Sequence, residues 1–286
     1  MRWQESAVPT GAYRKTPHTK PAVSQGALEQ ALCEGEIRAH YQPQVCSKTG
    51  AVTGCEALAR WLHPKRGLLA PADFLPQIDA YGLTGCLGAL MVENALTALS
   101  DWDRAGVYMP SVAVNFAQAD LNRPYLASQL AWDIDRHSLA PDRLTIEILE
   151  TVPNRPKNSV IVANIVGLAR LGCGIDLDDF GTGHATLSAV RDFAVGRIKI
   201  DRRFVRGVHR APRLQDGILA TVAMARELGL QTLAEGVETP ADLATLADLG
   251  CDVVQGFHIA PPMAASAMAA WMPRRKARSS SLWLTA

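Results

Sequence analysis

Along residues 26–272, short apolar runs rich in β-branched residues alternate with longer segments whose apolar positions recur at helical spacing. The short runs predict strands at 39–45 (AHYQPQV), 52–61 (VTGCEALARW), 111–117 (SVAVNFA), 143–149 (RLTIEIL), 173–177 (CGIDL), 196–201 (GRIKID), 230–235 (LQTLAE) and 251–256 (CDVVQG). Helices between them are punctuated. In TPADLATLADLG, Thr239 is a predicted N-cap, Pro240 opens the helix and Asp242 suits the dipole of the first turn. Leu243, Leu246 and Leu249 form its apolar stripe, and Gly250 ends it. In RLQDGILATVAMARELG, a second stripe runs through Leu214, Ile218, Val222, Ala225 and Leu228. Repeated strand–helix units imply a parallel sheet with crossover helices. About eight strands over this length suit a closed (β/α)8 barrel. A doubly wound open sheet is the alternative, but no G-x-G-x-x-G follows the first strand.

Composition narrows the class. The 286 residues could form one large domain or two small ones, and 48% hydrophobic with 20% charged residues suits a globular chain with a sizeable core. A net charge of +1 gives no bulk case for a DNA or RNA polymer or a membrane surface as partner. A small anionic ligand held by a few local cations stays open. Cys33, Cys46, Cys55, Cys86, Cys173 and Cys251 include no C-x-x-C pair, which argues against a zinc or thioredoxin-like site. Residues 1–25 lack the apolar core of a signal peptide and read as a flexible leader; 273–286 read as a basic, Ser-rich flexible tail. The most apolar stretch, VIVANIVGLARLGCGI, is broken by Asn164 and Arg170, so no membrane span is expected. The expectation is a cytoplasmic protein with reduced thiols.

Chemistry concentrates at the predicted strand ends. The stretch GIDLDDFGTG, residues 174–183, sets Asp178 beside Asp179 at the end of an apolar run. Adjacent carboxylates are costly to bury unless a cation compensates them. Glu56, Asn115, Glu147, Lys199, Glu235 and Gln255 each stand near the C-terminal end of another predicted strand. In a barrel those ends meet at one rim. Hard oxygen donors with no recurring Cys or His favour Mg²⁺ or Mn²⁺ over zinc. DFG also marks a kinase magnesium site, but the glycine-rich loop, V-A-I-K lysine and H-R-D loop that must accompany it do not occur.

With these residues assembled, the chain resembles the EAL-domain cyclic-di-GMP phosphodiesterases over roughly residues 28–265. YQPQV at Tyr41, EALARW at Glu56, VNF at Val114, EILE at Glu147, DDFGTG at Asp178, KID at Lys199, AEGVET at Ala234 and QGF at Gln255 occur in the family's order. The resemblance implies a modified TIM barrel with an antiparallel first strand, and hydrolysis of cyclic di-GMP to linear 5′-pGpG with two Mg²⁺ or Mn²⁺ ions. It implies that Glu56, Asn115, Glu147 and Asp178 hold one ion. Asp178 would bridge to a second, held also by Asp179 and Glu235. Catalytic roles are implied for Glu56, Lys199, Glu235 and Glu238, with Lys199 holding or polarising the attacking water. Gln42, Arg60 and Gln255 would contact the dinucleotide, and Glu150 would brace the loop that begins at Asp178 and leads to the interface of a homodimer. His184, Ala185 and Thr186 depart from the family's usual loop, with an expected effect on rate or coupling. His258 reads as a loop histidine near the rim. A barrel that binds cyclic di-GMP without cutting it and signals to a partner protein is the competing reading; such receptors usually lack a metal ligand, and here the set is complete. A scaffold acting through the basic tail is a third. No G-G-D-E-F cyclase motif occurs and no separate sensor domain is expected, so regulation would come through oligomerisation, the leader or a regulatory protein partner.

Overall fold

The apolar runs become strands of a barrel wall whose alternate residues face the surrounding helices and the barrel interior. The computed structural model of the chain describes residues 23–149, 159–180 and 193–276. Its strands are β1 (Ile37–Cys46), β2 (Val52–His63), β3 (Gly67–Leu69), β4 (Val112–Phe116), β5 (Leu144–Leu149), β6 (Gly174–Phe180), β7 (Arg197–Ile200), β8 (Gln231–Ala234) and β9 (Val253–Val254). Hydrogen-bonded neighbours run β1, β9, β8, β7, β6, β5, β4, β2, and β2 pairs back onto β1, so the sheet closes on itself. β2 and β4 to β9 are mutually parallel, whereas β1 is antiparallel to both β2 and β9. The reversed strand has a local cause. Residues 47–51 form a tight turn closed by Gly50 N–H on the Cys46 carbonyl and by Cys46 N–H on the Ala51 carbonyl. So short a connection can return the chain only antiparallel.

The described α-helices are α1 (Gln25–Cys33), α2 (Leu75–Ala80), α3 (Thr84–Arg104), α4 (Gln118–Leu121), α5 (Leu126–Arg136), α6 (Val160–Leu171), α7 (Arg202–Val205), α8 (Pro212–Glu227), α9 (Pro240–Asp248) and α10 (Ala265–Lys276). Thr239 caps α9, its hydroxyl accepting from Asp242 N–H. None of the described helices is long and apolar enough to cross a membrane. Asn164 interrupts the apolar face of α6 because its buried amide donates to the Leu121 and Arg123 carbonyls at 2.8 Å each. Those carbonyls lie at and just beyond the end of α4, where no intrahelical donor reaches.

Two local expectations need correcting. Glu56 is not near the end of its strand: β2 continues to His63 and folds back through β3, a strand too short to show alternation. β4 pairs only with Cys55 to Ala57, so the second half of β2 projects beyond the ring. Leu228 is exposed, because α8 has ended at Glu227 and the chain turns at Gly229 with a φ of 71°.

The core lies between wall and helices. Val112, Val114, Ile146, Ile148, Ile175, Leu177 and Ile198 are buried on the outward face. The intervening positions hold buried polar groups instead: Gln42 and Gln44, Glu56, Thr145 and Glu147, Asp176, then Arg197 and Lys199. A TIM barrel interior is commonly filled by branched apolar layers. A polar interior costs stability unless its groups are mutually satisfied, and that requirement shapes the site.

Candidate active site

Neighbouring residues of an unbroken strand face opposite sides of the sheet, so Asp178 and Asp179 would be expected to diverge. They do not, because β6 is bulged. Its register with β7 shifts between Leu177 and Phe180, and Asp179 takes a φ of 56° in the left-handed region. Asp178 Oδ1 accepts Asp179 N–H at 2.9 Å and steadies the turn. Both carboxylates then line one cavity of about 700 Å³ at the barrel mouth, together with Gln42, Glu56, Glu235, Glu238 and Gln255.

Lys199 lies beneath this cavity, fully buried. Its Nζ stands 2.7 Å from Glu235, 2.8 Å from Glu147, 3.2 Å from Asp178 and 3.8 Å from Glu56. Burial alone would lower the lysine pKa. Glu147, Glu56, Glu235 and Asp178 overcome it and push Lys199 well above its ordinary value, so it stays charged. One ammonium cannot neutralise this many carboxylates. Burial, with Glu56 as the next contributor, raises Glu147 well above the usual carboxylate range. Burial likewise lifts Glu235 from 4.5 to about 7 against the pull of Lys199. Glu56 goes the other way: burial is outweighed by Lys199 and by hydrogen bonds from Gln255 (2.6 Å) and Asn115 (2.8 Å), and its pKa falls. Asp179 is raised to about 6 by burial, by a hydrogen bond shared with Asp201 and by the adjacent Asp178.

The direction of the Glu235 shift has a measurable consequence. A carboxyl raised in the folded state stabilises the fold below its unfolded value, and that contribution disappears as pH rises through the folded value. With chelator present, this group should cost the protein stability between about pH 4.5 and 7. Glu235→Gln should flatten that part of the melting-temperature profile; identical slopes for both proteins would contradict the assignment.

The donor set fits a divalent cation. Glu56, Glu147, Asp178, Asp179 and Glu235 offer hard oxygens. Glu147 Oε1 is buried with no hydrogen-bond partner, although Oε2 meets Lys199. Such an atom is costly to leave unsatisfied, and a bound ion would satisfy it. Among the described residues, no group of three or more His, Cys, Asp or Glu side chains already forms a metal cage. The carboxylates are drawn onto Lys199 instead.

Asn115 is exposed, and lines an adjoining, mostly apolar pocket of about 490 Å³ that shares Glu56 and Leu58 with the first. Arg60 is half-buried on the projecting part of β2 and does not line the larger cavity; its guanidinium donates to the Ala59 carbonyl at 2.8 Å. Glu238 is at the cavity rim, paired with Arg206 at 2.8–3.0 Å. His258 is half-buried and outside the cavity lining. Glu150 and the departure at His184, Ala185 and Thr186 lie outside the described residues. The cavity also draws in groups that sequence reasoning passed over: Asp201, Arg202, Arg203 and the exposed ring of Phe257. Asp201 and Phe257 are the last residues of the motifs KID and QGF, and that membership is the available signal.

The loops after β8 and β9 are joined. Val237 N–H donates to the Gln255 carbonyl and His258 N–H to the Val237 carbonyl, both at 3.0 Å. A Cβ on Gly256 would come 2.2 Å from the Val237 backbone, so only glycine permits this approach.

Comparison with known proteins agrees with this architecture. The family model described as EAL domain matches residues 25–262. The bifunctional diguanylate cyclase/cyclic di-GMP phosphodiesterase MucR of Pseudomonas aeruginosa is 35% identical over 243 residues, covering 85% of this chain and 35% of MucR. The cyclic di-GMP phosphodiesterase RocR of the same organism is 34% identical, over 82% of this chain and 59% of RocR. The chain thus spans about a third to three-fifths of these relatives. A solved structure of the PaMucR phosphodiesterase in complex with c-di-GMP superposes with a TM-score of 0.80 at 34% identity, covering 85% of this chain and 98% of that one.

Proposed function

Because the chain belongs to the EAL domain family, we propose that it is a metal-dependent phosphodiesterase hydrolysing cyclic di-GMP to linear 5′-pGpG. The observation that carries this reading is the gathering of Glu56, Glu147, Asp178 and Glu235 around buried Lys199 beneath an open cavity. Glu56, Asn115, Glu147 and Asp178 would hold one Mg²⁺ or Mn²⁺, and Asp178, Asp179 and Glu235 a second. When bound, such ions act as Lewis acids and make water more acidic.

The chain's own groups divide the remaining work. Lys199 Nζ would donate to the attacking water and orient its lone pair toward phosphorus, once bound ions take over the carboxylates that now hold it. In an in-line displacement the water oxygen bonds to phosphorus, the bond to a ribose 3′ oxygen breaks, and that oxygen ends with a proton supplied by the water. The product carries a 5′-phosphate and a free 3′-hydroxyl, as pGpG does. Gln42 and Gln255 offer amides to the dinucleotide, and Arg60, on the same face of β2 as Glu56, offers a cation to its phosphate. Phe257 presents a ring at the mouth on which a base can stack.

The test is incubation of purified protein with cyclic di-GMP and Mg²⁺ or Mn²⁺, followed by chromatographic separation of nucleotides. Metal-dependent appearance of pGpG is the expected result. Calorimetric binding without product would make the chain a receptor, and neither binding nor product would overturn both readings.

A further inference from the structure

Beneath the cavity, a line of side chains crosses the barrel interior whose hydrogen-bond direction is set at both ends. Arg197 donates through Nε to Asp176 Oδ2 at 2.7 Å, and a second donor, Nη2, reaches the same oxygen. Nη2 also donates to Gln44 Oε1 at 3.1 Å. Gln44 Nε2 donates to Gln255 Oε1 at 2.9 Å, and Gln255 Nε2 donates to Glu56 Oε2 at 2.6 Å and to Gln42 Oε1 at 3.1 Å. Gln42 Nε2 ends the line on the Ala260 carbonyl at 3.0 Å. Gln44 is fully buried, and Arg197, Asp176, Gln42 and Gln255 nearly so.

A glutamine amide can be turned either way, presenting oxygen or nitrogen. A guanidinium only donates and a backbone carbonyl only accepts. Arg197 therefore demands the oxygen of Gln44. That leaves the Gln44 nitrogen for Gln255, which must answer with its oxygen, and the Gln255 nitrogen then faces Glu56. Reversing any member would set two acceptors or two donors against each other among buried side chains, where unsatisfied groups are costly.

We infer that Arg197 is a positioning residue for Glu56, acting through Gln44 and Gln255 so that a donor always faces the carboxylate, with Asp176 as its counter-ion. This rests on the reading of Glu56 as a metal ligand. The two charges sit two residues before site residues on adjacent strands, Asp176 before Asp178 and Arg197 before Lys199, and so share their inward face. Groups that orient metal ligands from behind typically change affinity or activity by about 10–100-fold when removed.

The experiment compares wild type, R197K and the double variant D176L/R197M, which removes both buried charges and so strands neither. Mn²⁺ affinity is measured by calorimetry, and the side-chain NH₂ resonances of Gln44 and Gln255 are followed by ¹⁵N-resolved NMR without metal. The double variant is expected to bind Mn²⁺ about tenfold more weakly and to shift or broaden the Gln255 signals. R197K, still donor-only, should recover most of both. Wild-type affinity and unchanged Gln255 signals in the double variant would overturn the inference, as would a defect in R197K equal to that of the double variant. If the double variant does not fold, R197Q, whose own amide can turn its oxygen toward Gln44, carries the same comparison. Failure of wild type to bind Mn²⁺ would instead defeat the metal-ligand reading, and the Gln255 resonances would then decide the relay alone.

Discussion

Replacing Asp178 with asparagine should reduce cyclic di-GMP hydrolysis by on the order of a thousandfold while leaving the protein folded. The substitution keeps size and shape but removes a charge. In the proposed site Asp178 is the group shared by both ions, and an amide has only one oxygen to offer. Its remaining contacts are tolerant of the change: the amide oxygen can still accept from Asp179 N–H and from Lys199 Nζ, and the ammonium keeps Glu56, Glu147 and Glu235 beside it. The measurement is pGpG formation under saturating Mn²⁺, with melting temperature as the folding control. Turnover near that of wild type would contradict a shared ligand at this position.

How far such a site can be read from sequence depends on which relations are local. Eight predicted strands correspond to β1, β2 and β4 to β9, because their alternation and length are properties of contiguous residues. The antiparallel first strand entered through family resemblance, yet the connection of residues 47–51 is itself too short for a crossover. That Asp178 and Asp179 share one site follows from the resemblance, but the bulge that lets them do so is not legible, because it arises from pairing with β7, whose register no local pattern encodes. Asp201 is hard to read from sequence for a different reason. It caps α7 by accepting Arg203 N–H, and a capping role suffices to explain an aspartate there. Arg197 and Asp176 each look like one charge inside an apolar run; their meaning appears only when β6 and β7 lie side by side.

A second large effect is expected for Lys199→Met. Removing one partner from a buried ion-pair cluster typically costs about 3–5 kcal/mol. For a chain of this size that corresponds to a fall of roughly 10 °C in melting temperature with chelator present. Glu147 and Glu235, already raised by burial, would lose the charge that opposes their protonation. The variant should therefore gain more stability from added Mn²⁺ than wild type does, since the ion then replaces a missing cation. It should still hydrolyse poorly, because no group remains to orient the water. Equal melting temperatures for wild type and variant with chelator present would argue that Lys199 is not the counter-ion of this cluster.

The contact between the loops after β8 and β9 bears on how this barrel could be altered by recombination. Val237 is hydrogen-bonded to both Gln255 and His258, and Gly256 lies where any side chain would collide with it. The segment carrying Glu235 and Glu238 and the segment carrying Gln255 and Phe257 are thus one inheritable module, although residues 239–254, with α9 and β9, separate them in the chain. A chimaera that imports either segment alone from a relative would have to rebuild this seam, whereas one that imports both would bring its own.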